Sequence, residues 1–406
     1  MFNFSRLRFL SLFAVLALFS ACSSGGDNNN GGNEDEVLQQ EVVANYGDIV
    51  LASYEDSLAL TQSLQTAINT FVDDPTEENF TAAKAAWKAA REVYGQTEAY
   101  RFYNGPIDDA DGPEGLINAW PLDEGYIDYT DGVADSGIIN NLGDFPEISK
   151  SVIEEANEAD GDTSISTGYH AIEFLLWGQD LSDGAEAGQR PFTDFVTDGS
   201  GTAANQDRRG EYLKAAAELL IENLQSMVDE WTPNTPGNFR DAFENIDPKE
   251  AITRILIGAG SLSGGELGGE RMIVALNTME KEDEHSCFSD NTHRDFIANE
   301  KGIQNVYLGR YVRSNGQVID GPGFDDLVQA VNPGLQASID AQFDAVDQAL
   351  DAINANAPFD QQILIGNPAG RERVSAAVEA LQAQTQLISE VGAALELDLN
   401  LDLDGV

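Results

Sequence analysis

Cysteine and histidine are scarce in this chain of 406 residues, which contains two cysteines and three histidines. Cys22 lies near the N-terminus and Cys287 in the second half, so a disulfide between them would tie the body of the protein to its N-terminal end. We therefore expect stability to come from buried apolar surface, which a chain of this length can supply without disulfides. Imidazole ligands for a metal can come only from His170, His285 and His293.

Basic residues are also scarce, since 22 lysines and arginines face 70 aspartates and glutamates, for a formal net charge of −48. Such a chain repels phosphate backbones and anionic headgroups, which argues against nucleic acid and acidic lipid as partners. A well-solvated surface is the plainest interpretation of the charge. It also predicts that cations concentrate near the protein at low ionic strength.

The N-terminus carries an apolar run from Phe9 to Phe19 that only Ser11 interrupts. The run is too short to span a membrane, and it follows Arg6 and Arg8 as the apolar part of a secretory signal does. The sequence therefore predicts a signal peptide over residues 1–21.

Small residues precede Cys22 in the order Ser20-Ala21-Cys22, which resembles a bacterial lipobox. We predict that Cys22 carries lipid and that residues 22–37, rich in Ser, Gly, Asn and acids, form a flexible tether. The predicted location is the cell envelope, as an outer-membrane lipoprotein that faces the periplasm or is exposed at the surface. Ordinary signal cleavage near Ala21 is the alternative.

Helical spacing of apolar residues dominates the rest of the chain, and strand-like alternation is weak. The spacing extends over four main segments: 50–71, 206–231, 325–353 and 371–395. We predict an all-α fold of two helical bundles, 38–195 and 206–396, with a tail at 397–406. Asp-Pro-x-Glu helix starts recur at Asp74 and Asp247, where Asp caps the helix and Pro occupies its first turn, which indicates an internal repeat.

The stretch Thr167–Trp177 predicts a helix that is apolar almost all round, and such helices are buried. His170 and Glu173 interrupt it and, three residues apart, project from one face. Burying either one without a partner costs roughly 2–7 kcal/mol, so each needs a partner inside the protein. Either they bond to each other and to the backbone, or they are two ligands of a metal site within the helices.

A second unusual stretch, Ser263–Arg271, contains four glycines, which are tolerable in a helix where two backbones approach closely. Glu266 and Glu270, four residues apart, would share one face of that helix. The alternative interpretation is helix packing with a surface pair between Glu270 and Arg271.

The run Glu282–Asp295 holds the other two histidines, His285 and His293, among several carboxylates. Its Glu282-x-x-His285 spacing mirrors that of His170 and Glu173. All imidazoles of the chain therefore lie in two short stretches that are rich in carboxylates. A solvated charged loop is the alternative, although the Ser-Cys-Phe sequence in the middle of the run argues against full exposure.

The Gly-x-His-x-x-Glu pattern at 168–173 matches the signature of the imelysin family. Five further motifs, in order along the chain, resemble the iron-regulated protein A branch of that family: Arg101–Asp108, Trp120–Leu122, Gly188–Phe192, Gly269–Met272 and Glu282–Asp295. The similarity covers roughly residues 40–395. The resemblance implies an all-α fold of two bundles related by an internal repeat, with the signature between them. It also implies an envelope protein tied to iron acquisition, in a family that carries a peptidase label.

A hydrolytic zinc site needs about three protein ligands, an open water position and a general base. His170 and Glu173 supply two ligands, so we favour binding of a metal, iron first and zinc second, over proteolysis. A binding protein for a non-metal ligand, with a structural His–Glu pair, is the third hypothesis. The expected partners are the metal ion, the outer membrane and iron-uptake components. The predicted metal ligands are His170, Glu173 and His285, and the further candidate site residues are Glu98, Arg101, Glu266, Glu270, Arg271, Glu282, Asp290 and His293.

Overall fold

The computed structural model describes residues 31–182, 184–401 and 403, so the predicted signal peptide and Cys22 lie outside the described residues. Apart from one small two-stranded hairpin, the regular elements of the described chain are helices joined by irregular loops, which confirms the predicted all-α fold class. Its α-helices are α1 Gly31–Asp73, α2 Glu77–Thr97, α3 Glu114–Ile117, α4 Glu124–Ile127, α5 Gly137–Asn140, α6 Lys150–Ala156, α7 Gly168–Trp177, α8 Gln206–Trp231, α9 Phe239–Glu244, α10 Pro248–Ser261, α11 Val274–Thr278, α12 Thr292–Tyr307, α13 Phe324–Val331, α14 Pro333–Asn354, α15 Asp360–Ile363 and α16 Pro368–Ala394.

The two predicted Asp-Pro helix starts differ in the structure. At α10, Asp247 is the N-cap, its side chain accepts from the Lys249 amide, and Pro248 opens the helix as predicted. At α2 the N-cap is Thr76, whose hydroxyl accepts from the Asn79 amide, so the assignment of that role to Asp74 was wrong. A threonine with extended backbone next to the first helical residue satisfies the free amide groups better than an aspartate two residues earlier.

The glycine-rich stretch forms a π-helix, Leu262–Ile273, that joins α10 to α11. A Cβ atom on Gly264 would lie 2.8 Å from Oγ1 of Thr385 on α16, so glycine is required by close contact between these helices. The close contact is with a side chain of α16, whereas the sequence analysis expected a close approach of two backbones. The wider helical turn itself has no counterpart in the sequence prediction.

Two other local features differ from the predictions. The helix expected over 325–353 is divided, because Asn332 caps a new helix that begins with Pro333. An antiparallel hairpin, β1 Arg310–Val312 and β2 Val318–Asp320, was missed. Asn315-Gly316 in its turn is a hairpin signal, and Gly316 has a φ of 85° there.

The apolar core is continuous across the predicted boundary near residue 206. α8 packs on α1, α6 and α7, and buried residues of one cluster extend from Val42 to Leu395. A second cluster lies between the π-helix, α12, α14, α15 and α16. The domain limits and the internal repeat stay predictions. Among the helices described, none combines the length and the apolar character that crossing a membrane requires.

Candidate functional site

Helix α7 is buried along its whole length, as its sequence predicts. It begins at Gly168, which has a φ of 79° and approaches α3 so closely that a Cβ there would lie 2.4 Å from the carbonyl oxygen of Ile117. Only glycine combines this backbone conformation with that contact. The glycine of the motif therefore places the helix, and with it His170 and Glu173, against α3.

His170 and Glu173 contact each other. Nδ1 of His170 lies 3.0 Å from Oε2 of Glu173, and Oε1 of Glu173 accepts from both the amide and the hydroxyl of Ser289, at 2.9 and 2.6 Å. Burial raises the pKa of Glu173 to about 8. Burial, followed by the positive charge of Arg91, holds the pKa of His170 well below its usual range. Both shifts favour the uncharged forms, and the contact between the two side chains is the one that the non-metal alternative predicts.

The other ring nitrogen of His170, Nε2, is buried and has no hydrogen-bond partner among the described residues. The imidazole is enclosed by the rings of Trp120 and His285, whose centroids lie 4.8 and 5.0 Å away. His170 and His285, 115 residues apart in sequence, therefore pack against each other, and the ring of Trp120 packs against His170.

His285 is held by charged groups from two helices. Arg91 of α2 donates to Nδ1 of His285 at 3.0 Å and pairs with Asp295 of α12 at 3.2 Å, and Asp295 lies 3.3 Å from the same imidazole. Burial and the neighbouring cations Arg271 and Arg91 hold the pKa of His285 well below its usual range. The imidazole is therefore neutral, and a positive charge lies beside it.

A second buried network lies around Glu98, which accepts from Arg271 at 2.6 Å and Arg101 at 3.0 Å. Burial raises the pKa of Glu98, but these two guanidinium groups together outweigh burial and hold the pKa below its usual range. Arg271 also binds Glu266, at 2.8 Å. Most carboxylates of this network are thus already engaged by arginine.

These groups border a pocket of about 490 Å³, named here the Trp120 pocket. Its lining residues are Arg101, Glu114, Asn118, Ala119, Trp120, Pro121, Glu158, Asp162, Glu266, Glu270, Arg271, Val274, Asp283 and His285. The lining contains six carboxyl groups and two guanidinium groups, which gives a formal excess of four negative charges with His285 neutral, and burial raises the pKa of one of these carboxyl groups, Glu114. The pocket therefore attracts cations and repels anions.

Comparison with known proteins places this arrangement in a family. A sequence model described as imelysin matches residues 50–388, which is most of the chain. The chain belongs to the imelysin family. Iron-regulated protein A of Synechococcus elongatus is 27% identical over 381 residues, which cover 91% of this chain and 87% of that protein.

Two solved structures share the imelysin fold. A candidate iron-regulated protein A precursor from Parabacteroides distasonis has a TM-score of 0.67 at 22% identity, covering 88% of this chain and 95% of its own. An imelysin-like protein from Psychrobacter arcticum has a TM-score of 0.56 at 15% identity, covering 90% and 98%. These likenesses show the fold.

The imelysin signature lies beside the Trp120 pocket, and several predicted site residues line that pocket or its network: Glu98, Arg101, Glu266, Glu270, Arg271 and His285. Glu282, Asp290 and His293 are not among the lining residues. Asp290 lies instead near other carboxylates, and burial with Asp360 and Asp180 raises its pKa to about 7. Burial lowers the pKa of His293 to about 4.

The imelysin signature places His170 and Glu173 in contact with each other. Within the described residues, no group of three or more His, Cys, Asp or Glu side chains is arranged to hold a metal ion. Residues that the site prediction lacked are Trp120, Asn118, Asp295 and Ser289. Arg91 of α2 is also absent from the predicted site residues, and it is only 1% exposed.

Proposed function

We propose that this imelysin-family protein is a cell-envelope protein that binds iron and takes part in iron acquisition, with the Trp120 pocket as its binding site. The excess of four negative charges in the lining carries the proposal, because a cavity of that sign concentrates cations. The relative named iron-regulated protein A supports iron as the cation. Carboxylate oxygen and imidazole nitrogen, the donors at this pocket, also suit iron, manganese and zinc better than copper(I).

The His170–Glu173 contact bears on where the ion lies. Glu173 has both oxygens engaged, by His170 and Ser289, so the proposal assigns the ion to the pocket and not to a position between these two side chains. A hydrolytic zinc site would require a third ligand and a base next to an open water position. The geometry therefore favours binding over proteolysis.

Anaerobic calorimetric titration of Fe²⁺ tests the proposal. We expect one ion per chain, and a loss of affinity of about tenfold or more in Glu266→Gln/Glu270→Gln, because two of the lining charges are removed. Glu154→Gln is the matched control, since Glu154 lines a separate acidic pocket next to Pro106. Equal Fe²⁺ affinity in the wild type and in both variants would refute the assignment of iron to the Trp120 pocket.

The envelope location is proposed from the N-terminal sequence. The basic start, the short apolar run and the small residues before Cys22 fit a lipidated cysteine that anchors the protein to the outer membrane. Mass spectrometry of the mature N-terminus should find a diacylglyceryl or triacyl Cys22 as the first residue. An unmodified N-terminus beyond Cys22 would contradict the anchor.

A further inference from the structure

We propose that the C-terminal tail is a strap that holds the π-helix in place, so that release of the tail loosens the wall of the Trp120 pocket that this helix supplies. The strap is residues 397–401 together with Leu403. This inference goes beyond the proposed function, because it concerns the order of the pocket wall and not the ion that binds there. Its supports are the leucines of the tail, the glycines beneath them, and the position of those glycines at the π-helix.

The tail alternates leucine with polar residues. Leucine occupies every second position from Leu397 to Leu403, and Asp398 and Asn400 lie between the first three leucines. Such alternation is typical of an extended segment with one apolar and one polar face. Asp398 and Asn400 are exposed, whereas the leucines at 397, 399 and 401 are half-buried. The apolar face of the tail therefore packs against the body of the protein.

Two of these leucines lie directly over glycines. A Cβ atom on Gly392 of α16 would lie 2.5 Å from Cγ of Leu399, and one on Gly260 of α10 would lie 2.8 Å from Cδ2 of Leu401. Carbon atoms that are not bonded to each other lie about 3.5–4.0 Å apart at their optimum. Each glycine therefore provides space that the leucine side chain fills, and a larger residue there would displace the tail.

A third contact reaches the π-helix itself. A Cβ atom on Gly264 would lie 3.1 Å from Cδ2 of Leu403, and Gly260, the contact of Leu401, lies two residues before the π-helix begins. Later residues of the π-helix, among them Glu266 and Arg271, line the Trp120 pocket. The strap thus contacts the N-terminal end of the element that forms one wall of the pocket.

The π-helix depends on such contacts for its order. Its four glycines have more conformational freedom than other residues and weaken a helix relative to alanine. Part of the packing against it comes from α16, where Thr385 lies next to Gly264, and part comes from the strap. Leu403 is 42% exposed, so the strap is the contact that opens more readily.

Charge contributes little to holding the strap. Glu396, directly before it, pairs with Lys249 at 3.5 Å, and their side chains are 85% and 48% exposed. An exposed ion pair of this kind adds little to stability. At its other end the base of the strap is fixed by the amide of Leu397, which donates to the carbonyl oxygen of Gly392 at 2.8 Å. Beyond this bond, the leucine contacts hold the strap.

Hydrogen exchange followed by mass spectrometry tests the strap in the full chain, without added metal. In Leu401→Ser/Leu403→Ser we expect the amides of residues 265–273 to exchange at least about tenfold faster than in the wild type, while α8 keeps its wild-type rate. Asp398→Ser/Asn400→Ser is the matched control, because it changes only the exposed face of the same segment. In this control the exchange of residues 265–273 should stay within about twofold of the wild type.

Gly260→Ala tests the same contact from the other side, since its methyl group would occupy the space of Leu401. It should also speed the exchange of residues 265–273. Gly366→Ala, where nothing lies within 4 Å of a new Cβ, should leave that exchange unchanged. Wild-type exchange of the π-helix in both the leucine variant and Gly260→Ala would overturn the proposal. Equally faster exchange in α8 would also overturn it, because the tail would then stabilise the whole fold and not this helix.

Discussion

Buried arginines connect distant parts of this protein at the residue scale. Arg91 and Asp295 are 1% and 2% exposed at their side chains, and the pair joins α2 to α12 beside His285. Removing ions from water is costly, so the loss of one member of such a pair leaves the other as an unpaired buried charge and destabilises the fold. The same pair fixes the imidazole that borders the Trp120 pocket.

Replacing Arg91 with methionine should lower the free energy of unfolding by about 3–5 kcal/mol, because Asp295 is left as an unpaired buried charge. Urea unfolding measures the change. Arg294→Met is the matched control. Arg294 pairs with Glu92, and their side chains are 35% and 37% exposed. A salt bridge at such a position contributes about 1 kcal/mol or less to stability. Similar losses in the two variants would contradict this account.

The buried carboxyl group of Glu300 predicts that the free energy of unfolding depends on pH. Burial raises its pKa from 4.5 to about 8, although Gln384 and Gln304 donate hydrogen bonds to it. Between these values the folded state binds more protons than the unfolded state, so the free energy of unfolding falls as pH rises through this window. In Glu300→Gln the free energy of unfolding should fall less steeply with pH. The difference from the wild type should amount to a few kcal/mol between pH 4.5 and about 8, since each pKa unit corresponds to about 1.4 kcal/mol.

Urea unfolding of both proteins at a series of pH values from about 5 to about 8.5 checks the slope. Glu379→Gln changes an exposed glutamate of α16 and serves as the control, with the wild-type slope expected. A decline in Glu300→Gln as steep as that of the wild type would mean that another group causes it.

At the element scale, the π-helix shows how packing overrides helix propensity. A Cβ atom on Gly264 would lie 2.8 Å from Oγ1 of Thr385 on α16, and one on Gly268 would lie 3.6 Å from Cβ of Leu381 on the same helix. π-helical turns are rare, and they are often found at functional positions. Here it carries Glu266, Glu270 and Arg271 to the Trp120 pocket.

Gly264→Ala should destabilise the protein by about 1–3 kcal/mol, although alanine is the better helix former, because the new methyl group has no room beside Thr385. Thermal or urea unfolding tests this. Gly334→Ala is the control in α14, where the nearest atom to a new Cβ is 3.6 Å away, and it should be neutral or stabilising by up to about 1 kcal/mol. Stabilisation by both substitutions would refute the packing argument.

At the scale of the whole molecule, a net charge of −48 predicts self-repulsion in the folded state. Raising the salt concentration from about 0.01 M to about 0.5 M shortens the screening length, so the free energy of unfolding in urea should rise by about 1–2 kcal/mol. Sodium and potassium chloride should act alike, because screening depends on ionic strength. A fall in stability with salt would show that attractive ion pairs dominate.

Local sequence signals predicted the long helices and the contact between neighbouring residues of α7. The periods of α7 and α8 and the i, i+3 relation of His170 and Glu173 are local, because the helical repeat fixes which neighbouring residues share a face. The order of several short motifs was enough to indicate the imelysin family. The prediction assigned the N-cap of α2 to Asp74 instead of Thr76, and it missed the hairpin whose turn contains Asn315-Gly316.

The contacts between residues that are distant in sequence depend on how the helices pack. Arg91 and His285 are 194 residues apart, and Glu173 and Ser289 are 116 apart. No local period encodes such contacts, which follow from how whole helices pack. The engagement of Glu173 by Ser289, the charge of Arg91 beside His285 and the volume of the Trp120 pocket therefore became visible only in the fold, and they are what shifts the proposed ligand from the motif to the pocket beside it.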